Sequence, residues 1–167
     1  MSIAIMSDSH DNLPNINEAL KIINQAQIQT IIHCGDVCSA EVTRYISKHF
    51  TGQIHLIAGN VAGDHAKKIK RYRLKNVTFY NQTGTIKIAN KTIGFAHQPA
   101  EAKQLAATGG YDLVFYGHTH RPWEETIGQT RLVNPGTLAG LFARPTFAIY
   151  NPTTNQLELK ILYTNNC

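Results

Sequence analysis

Short apolar runs and helical repeats alternate through the first sixty residues. Ile3–Ser7 is apolar and turns abruptly polar at Asp8, the pattern of a buried strand that ends in a functional loop. Asn12 is placed to cap the next segment, Pro14 falls in its first turn, and Leu13, Ile16, Leu20 and Ile23 recur at helical spacing. Thr30–His33 predicts a second strand. Ser39 predicts the cap of a helix running to Phe50, with Val42, Ile46 and Phe50 on one face and Gly52 as its stop. Ile54–Ala58 predicts a third strand. This half therefore reads as strand, helix, strand, helix, strand.

The second half changes period. Thr83–Ala89 and Thr92–Ala96 alternate apolar and polar residues around Asn90-Lys91, which predicts a hairpin. A helix near Ala100–Ala107 stops at Gly109-Gly110, and Asp112–Tyr116 reads as a buried strand. Trp123–Ile127, Gln129–Val133, Phe147–Tyr150 and Gln156–Leu162 read as antiparallel strands, with turns at Gly128 and Asn151-Pro152. The expectation is an α/β (α+β) fold, βαβ-like at first and strand-rich later, with no internal repeat, low-complexity tract or linker.

Composition narrows the class. The 167 residues are 43% hydrophobic and 16% charged, which predicts one globular domain over residues 1–167 with a core of its own. No run approaches the ~18 apolar residues of a spanning helix, and no basic region precedes the apolar N-terminus as in a signal peptide. Cys34, Cys38 and Cys167 are too few and too odd for a disulfide framework, so a reducing cytoplasm is expected. The net charge of +5 is compatible with an anionic ligand. Eight histidines beside eleven acidic residues are the unusual feature.

Metal-ligand residue types follow directly after the apolar strands. They are Asp8-Ser9-His10, Gly35-Asp36, Gly59-Asn60, His97 and Gly117-His118-Thr119-His120. In an open α/β sheet, ligands gather outside the carboxyl ends of strands. In extended chain Asp8 and His10 face the same side and converge on one ion. The glycines let backbone approach the cluster closely. Carboxylate, amide oxygen and imidazole together suit Mn²⁺, Fe²⁺ or Zn²⁺ better than a calcium cage, and no thiolate is required. Seven candidates are too many for one tetrahedral ion. With one bridging carboxylate they suit two ions roughly 3.5–4 Å apart. Only Asp8 and Asp36 offset the charge of such a pair, so the site stays cationic, attracts phosphate oxygens and favours hydroxide near neutral pH.

D-x-H, G-D, G-N, H and G-H-x-H in this order resemble the calcineurin-like metallophosphoesterase superfamily. Ser7-Asp8-Ser9-His10-Asp11-Asn12 and Asn134-Pro135-Gly136-Thr137 are similar to its small single-domain bacterial and archaeal phosphodiesterase branch. The resemblance runs from Ile3 to about Tyr163. It implies a four-layer αββα sandwich of two mixed sheets, with a dinuclear site at strand C-terminal ends. It further implies that Asp8, His10 and His120 hold a first metal, that Asp36 bridges, and that Asn60, His97 and His118 complete the second. Asp36 and Asn60 then serve catalysis as well, Asn60 by touching the phosphate. The implied reaction is hydrolysis of a small anionic phosphodiester by a metal-activated hydroxide. The family suggests Mn²⁺, with Ni²⁺, Fe²⁺ or Zn²⁺ as alternatives.

Two positions depart from the family pattern. Val61 stands where many members carry a histidine that protonates the leaving group, and Asp64 and His65 nearby read as ordinary loop residues, or else as replacements for it. Ala96-His97-Gln98-Pro99 replaces the usual His-Gly-His. Of the other residues, His33 is a candidate support for a ligand, Cys34 and Cys38 are expected as structural thiols, and His49 and His55 as surface or packing residues. The basic run Lys67, Lys68, Lys70, Arg71, Arg73, Lys75 reads as a solvated face, or else as electrostatic guidance for an anion. Asn165-Asn166-Cys167 reads as a frayed end. Competing functions are a non-enzymatic scaffold of the retromer-subunit type and a nuclease. Nucleic acid and membrane are not expected partners, and a homo-oligomer is left open.

Overall fold

A computed structural model describes residues 2–60 and 65–162, with residues 65 and 66 described by their backbone alone. Val61 and Asp64, the His65 side chain, Tyr163 and the segment Asn165-Asn166-Cys167 lie outside the described residues. Strand β1 (Ile3–Met6) is buried along its whole length. Its residues serve two cores by turns, because successive side chains point to opposite faces of a sheet. Ala4 and Met6 join a cluster with Ile16, Leu20 and Ile23 of helix α1 (Leu13–Gln25) and Val42 and Ile46 of helix α2 (Ala40–His49). Ile3 and Ile5 face the other way, onto Phe95, Phe115, Val133 and Tyr150. Strand β2 (Thr30–His33) repeats the alternation, with Ile31 in the first cluster and Ile32 in the second.

The same rule extends through the second sheet. In β6 (Lys91–Ala96) and β7 (Leu113–Phe115), Ile93, Phe95, Leu113 and Phe115 face inward. Ala96 and Val114 face outward onto Ala102 and Ala106 of helix α4 (Pro99–Ala107). Three apolar layers thus separate helices, sheet, sheet and helix, which is the expected αββα sandwich. Each fully buried Ile or Phe stabilises it by about 1.5–3 kcal/mol.

The six-stranded sheet adds β3 (Gln53–Ile57), β4 (Val77–Tyr80), β10 (Thr146–Asn151) and β11 (Gln156–Ile161), in the order β11-β10-β1-β2-β3-β4. β1 through β4 run parallel, and β10 lies antiparallel against β1 with Ile3 opposite Tyr150. The five-stranded sheet is ordered β5-β6-β7-β9-β8, adding β5 (Thr83–Ile88), β8 (Trp123–Ile127) and β9 (Thr130–Asn134). Here β6, β7 and β9 are parallel, while the hairpins β5–β6 and β8–β9 are antiparallel. The four last strands therefore form antiparallel pairs as expected, yet the pairs belong to different sheets.

Both expected caps form. Asn12 Oδ1 accepts the Asn15 N–H at 3.2 Å, and Ser39 Oγ accepts the Val42 N–H at 3.2 Å. Two elements were not expected. The basic run lies largely on helix α3 (His65–Tyr72), whose Ile69 is buried in the helix-side core while Lys67, Lys68, Lys70 and Arg71 are exposed. Tyr72 donates to Glu41 at 2.9 Å, and the Arg44 guanidinium lies 5.4 Å from its ring centre, so α3 is tied to α2. β4 is led in by Asn76, whose Nδ2 donates to the carbonyls of Ser47, Phe50 and Gly52.

Candidate metal centre

The ligand-type residues leave the C-terminal ends of five strands. Asp8 follows β1, Asp36 follows β2, Asn60 follows β3, His97 follows β6, and His118 and His120 follow β7. The strand pairing continues into the loops. Asp8 N–H donates to the Gly35 carbonyl and His10 N–H to the Asp36 carbonyl, both at 3.0 Å, and Gly117 N–H donates to the His97 carbonyl at 3.1 Å. All seven predicted residues are gathered at this end.

The backbone there is not extended. Asp8, His10, Asp36, His118 and His120 all have left-handed φ, between 40° and 68°. The convergence of Asp8 and His10 therefore does not come from strand alternation, as expected from sequence, but from consecutive turns. Each such residue costs on the order of 1 kcal/mol or more. Hydrogen bonds over-determine the conformation. Both Asp8 carboxylate oxygens accept the His118 N–H, at 3.2 and 3.0 Å, and Asp36 Oδ1 accepts the Asn60 N–H at 2.9 Å. Close approach also demands glycine at two points. A Cβ on Gly117 would collide with Ser7 Oγ, and one on Gly59 (φ +72°) with Asp36 Oδ1 and its backbone nitrogen.

The donors fall into two overlapping groups. Ligand atoms of Asp8, His10 and His120 lie within 4.8 Å of one another, as do those of Asp8, Asp36 and His97. His120 Nε2 is 3.3 Å from Asp8 Oδ1 and 3.3 Å from His10 Nε2. Asp36 Oδ2 lies between the groups, 3.9 Å from His10 Nε2 and 3.5 Å from His97 Nε2. Asn60 Oδ1 is 2.6 Å from His97 Nε2 and 3.2 Å from His118 Nδ1.

Tautomer chemistry tests whether a cation fits. His97 Nδ1 faces the Cys34 carbonyl at 2.9 Å, and a carbonyl only accepts, so Nδ1 carries the proton. Nε2 then presents a lone pair toward Asn60 Oδ1 and Asp36 Oδ2, two further acceptors. Acceptors converging on one point are what a metal ion relieves. Burial adds to the need: Asp8 is 0% and Asp36 2% exposed. Burial raises the Asp8 pKa above the ordinary carboxyl value, opposed by the His97 and His120 imidazoles and the His118 N–H. The residues fit divalent metal.

Several supporting groups lie outside the predicted set. Asn134 Nδ2 donates to the Gly117 carbonyl at 2.9 Å and to Thr119 Oγ1 at 3.0 Å. Thr137 Oγ1 donates to the Asp8 carbonyl at 3.0 Å, and Leu138 and Ala139 N–H donate to the Ser7 and Asp8 carbonyls. The Asn134-Pro135-Gly136-Thr137 run was visible in sequence; its role as a clasp on both ligand loops was not. His33 is buried and accepts the Gly35 N–H on Nδ1, so Nε2 donates to Ser9 Oγ at 3.0 Å. It steadies Ser9, the residue between two candidate ligands. Cys34 is buried as expected, but Cys38 is exposed, with Sγ 3.5 Å from His10 Nδ1. Burial, then Asp11 and Asp36, raises the Cys38 pKa. His49 and His55 are remote, bonded to the Tyr45 carbonyl and to the Tyr80 hydroxyl.

The domain description of the calcineurin-like phosphoesterase superfamily matches residues 1–155. The chain belongs to that superfamily. A phosphodiesterase of Methanocaldococcus jannaschii is 33% identical over 153 residues, covering 89% of this chain and 92% of that protein. A solved archaeal phosphodiesterase superposes with a TM-score of 0.87 at 29% identity, covering 97% of this chain and 100% of that one. The vacuolar protein sorting 29 protein of Cryptosporidium parvum shares the fold, with a TM-score of 0.66 at 17% identity over 96% of each chain. This metallophosphoesterase thus gathers two groups of candidate metal ligands at the ends of its strands, and none of its described helices is long and apolar enough to cross a membrane.

Proposed function

We propose that this metallophosphoesterase hydrolyses small phosphodiesters at a pair of divalent metal ions, within one domain over residues 1–167. The observation that carries the reading is Asp36. One nearly fully buried carboxylate lies between His10 and His97, at 3.9 and 3.5 Å, where a bridging ligand belongs. Asp8, His10 and His120 hold the first ion. Asn60, His97 and His118 hold the second. When bound, the ions supply Lewis acidity and make hydroxide available near neutral pH.

The chain's own residues orient and tune. Cys34 fixes the His97 tautomer through its carbonyl, and Asp36 fixes the Asn60 backbone. The Asn60 amide would touch a phosphoryl oxygen of the bound substrate. Val61 follows it and has no proton to give, so another group or water must protonate the leaving group. That favours diesters whose leaving group needs little protonation. The complete ligand set favours catalysis over the scaffold reading. Mn²⁺ is the proposed ion, with Ni²⁺, Fe²⁺ or Zn²⁺ as alternatives. The free Cys34 and Cys38 thiols support a reducing cytoplasm.

The test is hydrolysis of bis(p-nitrophenyl) phosphate by metal-stripped protein supplied in turn with Mn²⁺, Ni²⁺, Zn²⁺ and Mg²⁺. Turnover that appears with metal and disappears with chelator is expected. Binding of metal without turnover on any diester or monoester overturns the reading in favour of a scaffold.

A further inference from the structure

Two clefts of unlike chemistry flank the ligand cluster. The one beside His97 holds ≈180 Å³ and is lined by amides and a carboxylate, Asn60, Asn81, Gln82, Gln98 and Glu101 among them. The one beside His118 and His120 holds ≈330 Å³, is open to solvent, and is otherwise lined by Thr119, Arg121 and Phe142. Phe142 is 99% exposed, far more than any other large hydrophobic residue described. Its backbone is left-handed at φ +61°, an unfavourable conformation for an aromatic residue that serves nothing in the core.

The loop bearing Phe142 is tied to the metal centre. It departs from Ala139, whose N–H donates to the Asp8 carbonyl at 3.0 Å, and returns at Thr146, whose N–H donates to the Thr137 carbonyl at 2.8 Å. The Phe142 ring stands 6.4 Å from the His120 ring at an interplanar angle of 32°. A ring is thereby held out from the protein at the edge of a cavity that begins at two metal-ligand imidazoles.

We infer that Phe142 is a specificity-determining residue that stacks on an aromatic arm of the phosphodiester, a nucleobase or aryl group. The inference rests on the phosphodiesterase reading. An aliphatic arm needs apolar walls on several sides, and this cavity has one. Its other walls are imidazole, hydroxyl and guanidinium, which suit the face and edge polar atoms of a heteroaromatic ring. The volume is within the range of small-ligand sites, roughly 300–1,000 Å³. Arg121 in the same cavity supplies a cation for the phosphate oxygens or for the ring face. The opposite, amide-lined cleft takes a polar arm, so the two arms of the substrate are inequivalent.

The test is titration calorimetry of the Mn²⁺-loaded full chain with adenosine 5′-monophosphate and with ribose 5-phosphate, which differ only by the base. The nucleotide is expected to bind about tenfold tighter, within what stacking one base supplies. Phe142→Ala should bring the two affinities together, and Phe142→Trp should keep them apart. Full exposure of the side chain makes both variants safe for folding. Equal affinities in the unaltered protein, or a preference that survives Phe142→Ala, overturns the stacking role and leaves the metal centre standing. Binding of neither probe overturns this inference, whereas the phosphodiesterase reading falls only if metal-dependent hydrolysis of bis(p-nitrophenyl) phosphate is absent as well.

Discussion

Asp8, Asp36 and His97 form the floor of the metal centre and are 0–3% exposed, whereas His10, Asn60, His118 and His120 stand at its mouth with solvent on one side. The floor is held by the backbone: the His118 N–H on Asp8, the Asn60 N–H on Asp36 and the Cys34 carbonyl on His97. The rim side chains are held by side chains, those of the floor (Asn60 on His97 at 2.6 Å, His120 on Asp8 at 3.3 Å), one another, and Cys38 and Gln98 at 3.5 Å. The difference separates two tasks. The floor is preorganised by the fold and stores the cost of buried charge, while the rim offers its ligand atoms from the solvent side.

Removing the floor's central carboxylate should have the largest effect. Asp36→Ala is expected to cut metal-dependent diester hydrolysis by about 10³-fold or more while the circular dichroism of the protein stays native. Retained turnover would collapse the distinction between floor and rim. Gly59→Ala comes next, because its Cβ strikes Asp36 at a left-handed position. A loss of about 2–4 kcal/mol in urea unfolding and about a hundredfold in rate is expected. Gly109→Ala is its control, equally left-handed at φ +70° but with nothing within 4 Å, and should cost about 1 kcal/mol with activity unchanged.

Smaller effects sharpen the contrast. His97→Ala should lower both metal affinity and Tm, whereas His118→Ala should lower metal affinity about tenfold or more and leave Tm unchanged. Equal thermal effects would show that the rim is as structural as the floor. The smallest change has an unusual sign. Burial raises the Asp8 pKa, so the metal-free fold binds this proton better than the unfolded chain does. Its contribution to stability therefore falls as pH rises above the ordinary value of 3.8 and stays lost at neutrality. Asp8→Asn should raise the Tm of metal-free protein at pH 7 by about 2–4 °C and abolish the further rise on adding Mn²⁺. A lowered Tm would mean that the buried charge is already compensated by the imidazoles.

The site was legible because its chemistry is concentrated in residue types that rarely cluster by chance at strand ends. The layers were legible because strand alternation is local. What escaped sequence reading depends on distant or weak signals. α3 has two apolar anchors, Ile69 and Tyr72, too few for a helical stripe among so many basic residues. β4 has four residues and depends on Asn76 bonds made 24 to 29 residues away. The left-handed turns at Asp8 and His10 are enforced by Gly35, Asp36, His118 and Thr137, none of them neighbours in sequence. Phe142 looks like any other hydrophobic residue until its exposure is seen.

The clasp also orders events in time. The last of the seven ligands, His120, leaves the ribosome before Thr137, Leu138 and Ala139, which fasten onto Ser7 and Asp8, and before β10, which pairs with β1. A chain that ends near residue 125 therefore contains every candidate ligand and lacks what holds the first of them in place. An ion held by these residues would therefore depend on the C-terminal quarter of the chain as well as on the ligands themselves.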